Sequence, residues 1–385
     1  MDTSLYKTTQ MEILSHLAKR GYECHLIALY STKKYKKISS DFRITQIPLR
    51  NIPLVTDTFY VLLLLFLFPL YVLQLRPNFI IVEPQDATAF SLLPIRFFPK
   101  SLRPKLILDA RTAHFSDTSW ASLLNDLTFY GSFHIAKRFF DGITTITPMM
   151  KSDFCKLVGL NPQNLGVWTS GVNTSLFSSK RLSEDAKMLR QKLGLGGKFV
   201  VIYHGSLNFN RGIIETIESV WMIKEKIPEV LLLLLGEGIL RSRIEKMIDD
   251  LQLHDNVILL KSVDYEHVPN YIAVSDVGVM TALDLPHWRS QCPLKVLEYL
   301  SMAKVVIVSD IPSHRWVIGD CKCGIYVSAD KISAPQIAEA IIYAYEHKSE
   351  LAERGSIGRV IVERDFSWEK VAADFDNYLT QTARN

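Results

Sequence analysis

The sequence predicts an α/β protein built from two doubly wound domains, each with a largely parallel sheet covered by helices. Short apolar runs alternate with helix-like segments along nearly the whole chain. The runs are apolar at successive positions, which indicates strands buried on both faces, as in parallel sheets. The length of 385 residues is too great for one ordinary domain, so two cores are expected.

Twelve apolar runs are predicted to be strands, six in each half of the chain. They lie at residues 24–30, 43–48, 79–83, 105–109, 142–147 and 165–168, and then at 199–204, 230–235, 257–260, 277–280, 305–308 and 324–327. Between them, Ile213, Ile217 and Val220 form an apolar stripe at helical spacing. The alternation of strands and helices predicts doubly wound sheets.

A polar linker near residues 177–185 predicts the boundary between the domains. The first domain is therefore expected at residues 1–177 and the second at residues 178–368. A last helix at residues 369–385 is expected to pack back on the first domain.

Charge, cysteine content and the start of the chain indicate the expected partners and compartment. A formal net charge of +4 on a chain of this length does not favour a nucleic-acid partner. The five cysteines are scattered and odd in number, which favours free thiols in a reducing compartment. The polar start of the chain does not resemble a signal peptide, so the expected location is the cytoplasm.

An uncharged segment at residues 59–73 has three interpretations. It is a helix buried in the core, a helix lying in a membrane interface, or, least favoured, a membrane span, which needs roughly 20 apolar residues. The nearby segment 97–105 mixes aromatic and basic residues. It is either a second part of a peripheral membrane surface or a solvated loop.

The strongest local motif runs from Val201 to Gly212. A strand ends at Gly205, a short loop follows, and a helix starts at Arg211 and Gly212. The free N–H groups of a helix start attract anions, and an arginine side chain suits phosphate oxygens. The alternative is an ordinary strand-to-helix turn with a surface arginine.

Two further segments carry weaker signals. Gly236 and Gly238 mark a tight turn after a strand. Lys295 and Glu298 are three residues apart and share a helix face. A carboxylate there could accept hydrogen bonds from two vicinal hydroxyls, and the alternative is a common surface ion pair.

These segments together resemble glycosyltransferase family 4. Further matching pieces occur in the same order at residues 20–27, 141–148, 170–177 and 366–368. The resemblance implies the GT-B fold, in which two Rossmann-like domains face each other across a cleft. It also implies a metal-independent, retaining transfer of a sugar from a UDP or GDP donor, which binds to the second domain. The acceptor binds to the first domain.

The resemblance also assigns donor-binding residues. Arg211 stands at the lysine of the family's phosphate-binding basic pair, and Ser206 replaces the arginine of that pair. Glu298 stands at the glutamate expected on the nucleotide ribose, and Ser290 replaces the glutamate that contacts the transferred sugar. The full predicted donor set is Gly205, Ser206, Arg211, Gly236, Ser290, Lys295 and Glu298, with Lys295 supplying the charge that Ser206 lacks.

In the first domain, the candidate catalytic residues are Asp109, Arg111 and His114, which follow a strand end. His204 and His287 are expected to line the cleft without an assigned role. The family's first strand precedes its first helix, whereas this chain begins almost at that helix. The first domain is therefore expected to lack that strand.

The sequence thus predicts a hexosyltransferase that acts on a glycan or lipid-linked acceptor at the cytoplasmic membrane face, without cofactor or metal. Ser206 and Ser290 favour one alternative, a non-catalytic GT-B partner subunit or pseudoenzyme of a glycan-assembly complex. A second alternative is another GT-B enzyme, such as an epimerase or a phosphorylase-like protein. Short motifs do not identify the sugar, the acceptor or the linkage.

Overall fold

The computed structural model describes residues 4–30, 41–48, 55–84, 88–112, 120–179 and 183–384. The chain divides into two compact units. The first unit comprises Met1–Ser170, Ser290–Cys292 and Trp368–Asn385, and the second comprises Gly171–Arg289 and Pro293–Ser367. The sequence-based boundary at residue 177 falls later in the chain than this division.

The first unit alternates strands and helices. Its described strands are β1 (His25–Tyr30), β2 (Arg43–Pro48), β3 (Phe79–Val82), β4 (Lys105–Ala110), β5 (Gly142–Thr145) and β6 (Leu165–Val167). Its described helices are α1 (Ser4–Lys19), α2 (Val55–Leu75), α3 (Thr88–Ser91), α4 (Trp120–Phe139), α5 (Pro148–Val158) and, from the chain end, α15 (Trp368–Arg384), with 3-10 turns at Leu93–Phe97, Lys100–Leu102 and Pro162–Asn164.

These strands form two separate parallel sheets. One has the order β3-β4-β5-β6, and the other contains β1 and β2. No described strand joins β1 to β3. A core cluster links α1, β4 and α15, and the ring of Phe375 on α15 stacks on Trp168 with 4.5 Å between ring centroids. The last helix therefore completes the core of the first unit.

The second unit contains one six-stranded sheet. Its strands are β7 (Phe199–His204), β8 (Val230–Leu235), β9 (Val257–Leu260), β10 (Val277–Met280), β11 (Val305–Ser309) and β12 (Gly324–Val327). Its helices are α6 (Ser183–Lys192), α7 (Ile213–Ile223), α8 (Arg241–Asp250), α9 (Val268–Ala273), α10 (Pro286–Ser290, ending in the first unit), α11 (Leu294–Ser301), α12 (Pro312–Ile318), α13 (Ala334–Glu346) and α14 (Leu351–Asp365), with 3-10 turns at Tyr265–His267 and Lys348–Glu350.

The order of this sheet determines where a ligand site can form. The order is β12-β11-β10-β7-β8-β9, and all neighbouring strands are parallel. Every residue of β7 and β8 is buried, which explains their continuous apolar sequence. The strand order reverses between β7 and β10. In open α/β sheets, ligands bind outside the carboxyl ends of the strands at such a reversal.

Helix α2 has one buried and one exposed apolar face. Leu64 and Val72 are fully buried, whereas Leu62, Phe66 and Leu70 are exposed. The helix is thus a core element on one side only. No helix in the described part of the chain is long and apolar enough to cross a membrane.

The expectation that all five cysteines are free thiols is wrong for two of them. Cys321 and Cys323 form a disulfide across the turn before β12, where their Cα atoms lie 5.3 Å apart. Cys24, Cys155 and Cys292 are free. Spacing alone did not predict the pair because the turn that brings two cysteines this close has no simple sequence signal.

Replacing Phe375 tests the docking of α15 on the first unit. Phe375 is 2% exposed and stacks on Trp168. Phe375→Ala leaves a cavity that partial collapse does not fill, so we expect a loss of about 3–5 kcal/mol in the unfolding free energy of the first unit. Denaturant unfolding, followed by tryptophan fluorescence, measures this loss. Gln381→Ala, at an exposed position of the same helix, should leave the stability unchanged, and equal stability of both variants would contradict the docking.

Candidate functional site

The loop that follows β7 is shaped by its first residue. Gly205 has a backbone φ of +107°, which side chains rarely allow. A Cβ atom at this position would lie 2.6 Å from Cε of Lys295, which comes from α11. The absence of a side chain therefore lets Lys295 lie directly over the loop backbone.

The loop after β8 packs against the loop after β7 through backbone atoms. The N–H of Gly205 donates to the carbonyl oxygen of Leu235 at 2.8 Å, and the N–H of Leu207 donates to that of Glu237 at 2.8 Å. A Cβ on Gly236 would lie 1.9 Å from the Gly205 carbonyl oxygen. In this structure, Gly236 serves the close approach of the two loops.

A second close approach fixes the start of α7. Gly212 has a φ of +67°, and a Cβ there would lie 2.2 Å from the carbonyl oxygen of Thr281, just after β10. The first turn of α7 is thereby held against the end of β10. Arg211 precedes this glycine, so its side chain leaves the chain where the strand order reverses.

The guanidinium of Arg211 lies among aromatic and cationic groups. It stands over the Trp288 ring, 4.8 Å from the centroid. Burial raises the pKa of Tyr203 to about 12, and the nearby charge of Arg211 opposes this shift. The pKa of Lys295 is lowered to about 7, first by burial and then by the nearby charge of Arg211. The same two causes lower the pKa of His287. Two cationic side chains therefore converge on one spot.

Glu298 is a buried carboxylate on α11, with 6% of its surface exposed. The hydroxyl of Tyr265 donates to its Oε1 at 2.9 Å. Nε2 of His204 lies 3.2 Å from its Oε2. The carboxylate also raises the pKa of Lys295 in opposition to burial, which shows that the two side chains interact.

The structure thus brings most of the predicted donor set together. Six predicted residues lie within the second unit, on the loops after β7 and β8, at the start of α7 and on α11: Gly205, Ser206, Arg211, Gly236, Lys295 and Glu298. The carbonyl oxygen of Ser206 accepts a hydrogen bond from the Tyr203 hydroxyl at 2.8 Å. Ser290 groups with the first unit, where it is buried and its carbonyl oxygen accepts the Thr147 hydroxyl.

The predicted residues of the first unit form a buried network. Asp109 accepts hydrogen bonds from the Thr144 hydroxyl at 2.7 Å and from the Trp168 indole at 2.9 Å. Burial raises the pKa of Asp109, and Arg111 opposes this shift. Arg111 stacks on Trp168 at 3.7 Å and donates to Ser170 Oγ at 2.9 Å.

Asp109 and Arg111 make these contacts with residues of the first unit. A catalytic role for either side chain stays a prediction. His114 lies outside the described residues.

Sequence reasoning did not assign a role to several residues that contact the predicted set. Tyr203 and Trp288 surround Arg211, and Tyr265 and His204 surround Glu298. For Tyr203 and His204, the one sequence signal of a site role was their position at the carboxyl end of the predicted strand β7. Tyr265 lies in a short turn beyond β9, where no periodic pattern marks it. The described residues contain no group of three or more His, Cys, Asp or Glu side chains arranged to hold a metal.

Comparison with known proteins gives one family match. The family model of the glycosyl transferases group 1 matches residues 185–359. EpsD of Bacillus subtilis, a candidate glycosyltransferase by name, is 28% identical over 262 residues, which are 66% of this chain and 64% of that protein. An alpha-D-kanosaminyltransferase of Streptomyces kanamyceticus is 24% identical over 40% of this chain and 38% of its own. The chain spans less than two thirds of the length of the curated relatives it matches.

Solved structures resemble the chain over nearly its whole length. A glycosyltransferase from Rickettsia africae has a TM-score of 0.80 at 14% identity and covers 100% of this chain and 97% of its own. HepE from Anabaena, solved in complex with UDP, has a TM-score of 0.71 at 16% identity and covers 89% of this chain and 87% of its own. At these identities the similarity concerns the fold. The predicted resemblance and the predicted fold class are confirmed: residues 185–359 match the family model of the glycosyl transferases group 1, and the chain has the two Rossmann-like domains of the GT-B fold.

Proposed function

We propose that the chain is a glycosyltransferase that moves a sugar, with retention, from a UDP- or GDP-sugar to a glycan or lipid-linked acceptor. The observation that carries this proposal is the pair of cations, Arg211 and Lys295, at the strand-order reversal of the second unit. The family match at residues 185–359 covers that region. HepE, a structural relative, was solved with UDP and with UDP-glucose.

The cation pair suits a diphosphate. Burial lowers the pKa of Lys295, and the repulsion between its charge and that of Arg211 lowers it further. An anion between them removes this repulsion and restores the charged form of the lysine. The first N–H groups of α7, beside Arg211, add the positive end of a helix dipole. Lys295 then supplies the positive charge that is missing because Ser206 replaces the arginine of the family's basic pair.

The same charges serve the proposed reaction. When the bond between the sugar and the diphosphate breaks, negative charge grows on the departing phosphate oxygens. Fixed cations at that position stabilise the transition state more than the ground state, and no metal is required for this purpose. Glu298 is proposed to accept hydrogen bonds from the nucleotide ribose.

The proposed acceptor side has fewer assigned groups. Ser290 stands where the family has a glutamate, so another group must contact the transferred sugar. Asp109, Arg111 and His114 remain the candidates for the acceptor side.

We also propose that the first unit binds the membrane surface through α2 and the neighbouring 3-10 turn. Phe66 is 73% exposed and Phe97 is 89% exposed, with Leu62 and Leu70 on the same face of α2 as Phe66. Exposed Lys100 follows Phe97 closely in sequence. Apolar side chains that enter the acyl boundary beside basic groups favour anionic bilayers. Such contact would bring the enzyme to a lipid-linked acceptor.

Removing either cation should weaken nucleotide binding. Arg211→Ala and Lys295→Ala each delete a charged donor to the diphosphate, which is worth about 1.5–3 kcal/mol, or about 10- to 100-fold in Kd. Isothermal titration with UDP and GDP measures the effect. Arg243→Ala removes an exposed arginine from α8 and is the matched control. If both site variants bind as tightly as the control, the proposed donor site is wrong.

Polar replacements on α2 should weaken vesicle binding severalfold. Phe66→Gln with Leu70→Gln removes exposed apolar area without touching the buried face, so flotation with vesicles of phosphatidylcholine and phosphatidylglycerol should fall severalfold. The control pair is Phe209→Gln with Ile239→Gln, which are exposed apolar residues of the second unit. Equal flotation of both double variants, with unchanged circular dichroism, would contradict membrane contact through α2.

A further inference from the structure

The Glu298 carboxylate is held from two sides. Its Oε1 accepts the Tyr265 hydroxyl, and its Oε2 faces Nε2 of His204. A buried carboxylate is costly unless hydrogen-bond donors surround it. An ionised carboxylate offers about four acceptor positions, and the Tyr265 hydroxyl occupies one of them. Positions on both oxygens therefore remain for donors from a ligand.

His204 is fixed by its neighbours. Its backbone N–H donates to the Tyr299 hydroxyl at 3.2 Å, and that hydroxyl donates to the Ile202 carbonyl oxygen at 3.2 Å. The two rings meet edge to face, with centroids 5.0 Å apart. His204 is 6% exposed, and its Nε2 is a buried atom without a hydrogen-bond partner. The carboxylate of Glu298 is thus the polar group that this nitrogen faces.

Tyr265 is fixed in a similar way. Its ring packs on Phe177, with centroids 5.4 Å apart. The carbonyl oxygen of Phe177 accepts the Ser301 hydroxyl from α11, the helix that carries Glu298. Glu298 lies on α11, and Tyr265 is linked to the same helix through Phe177 and Ser301. These contacts fix the position of the Tyr265 hydroxyl relative to the carboxylate.

We propose that Tyr265 and His204 are positioning residues that orient Glu298 toward the vicinal hydroxyls of the nucleotide, so that the site selects ribonucleotides over deoxyribonucleotides. This inference rests on the proposed donor site. The three side chains come from the turn after β9, the end of β7 and α11, which all lie in the second unit. A carboxylate with acceptor positions on both oxygens matches a pair of adjacent O–H donors.

The preference for ribonucleotides follows from the free-energy cost of leaving a Glu298 oxygen without a hydrogen-bond donor. A nucleotide without its 2′-hydroxyl leaves one oxygen of Glu298 without its donor. A hydrogen bond to a charged group in a buried site then fails to form, which weakens binding by about 10- to 100-fold. If Glu298 is free to turn toward solvent, this penalty shrinks. Orientation by Tyr265 and His204 therefore controls the preference.

The test compares UDP and GDP with their 2′-deoxy forms by isothermal titration. The variants are Tyr265→Phe, which keeps the ring on Phe177, and His204→Phe, which keeps a ring against Tyr299. Tyr345→Phe is the matched control, since it removes another tyrosine–glutamate hydrogen bond, from Tyr345 to Glu229, the residue before β8. Thermal unfolding verifies that all variants are folded.

We expect the natural sequence and the Tyr345→Phe control to prefer the ribonucleotide by about 10- to 100-fold. Tyr265→Phe and His204→Phe should lose most of this ratio, mainly through weaker binding of the ribonucleotide. An unchanged ratio in both variants, while the ribonucleotide binds normally, overturns the positioning role and leaves the donor site standing. Failure of the natural sequence to bind any of the four nucleotides instead overturns the donor site itself, and this inference with it.

Discussion

The proposed donor site depends on the close approach of backbone segments at the carboxyl ends of β7, β8 and β10. Gly205, Gly212 and Gly236 each lie so near another residue that a Cβ atom would collide with it. Gly236 lets the loops after β7 and β8 touch, and Gly212 lets the start of α7 touch the end of β10. Gly205 makes room for the Lys295 side chain. A larger residue at Gly212 or Gly236 would push backbone segments apart, and one at Gly205 would displace the Lys295 side chain. The charged side chains converge because the backbone beneath them is this compact.

The close packing of these loops explains how the second unit places two basic side chains and a carboxylate near one another. Arg211 and Lys295 provide positive charge near the start of α7, whereas Glu298 provides a fixed carboxylate on the same helix as Lys295. A nucleoside diphosphate has the matching groups, which are an anionic diphosphate and a ribose with neighbouring hydroxyls. The fold alone does not imply this ligand, because doubly wound sheets serve many functions. The chemistry of the three side chains is what favours it.

The sequence predicted the strands well because their apolar runs reflect burial on both faces, as in β7 and β8. It also placed Arg211 at a helix start and Glu298 on a helix. It did not show that Lys295 lies over Gly205, since that contact depends on a positive φ and on loop geometry. Tyr265 was missed because one aromatic residue in a short turn has no periodic pattern. The two-faced character of α2 was left open, since its sequence is apolar all round.

Proton uptake on nucleotide binding tests most directly whether a diphosphate lies between Arg211 and Lys295. The pKa of Lys295 is about 7 in the free protein, so this lysine is mostly uncharged at about pH 8. A diphosphate raises that pKa, and binding must then consume a proton and weaken as pH rises above about 7. Titration calorimetry with UDP in buffers of different ionisation enthalpy should count close to one proton taken up, and about none for Lys295→Gln. Tight binding without proton uptake at about pH 8 would contradict the account.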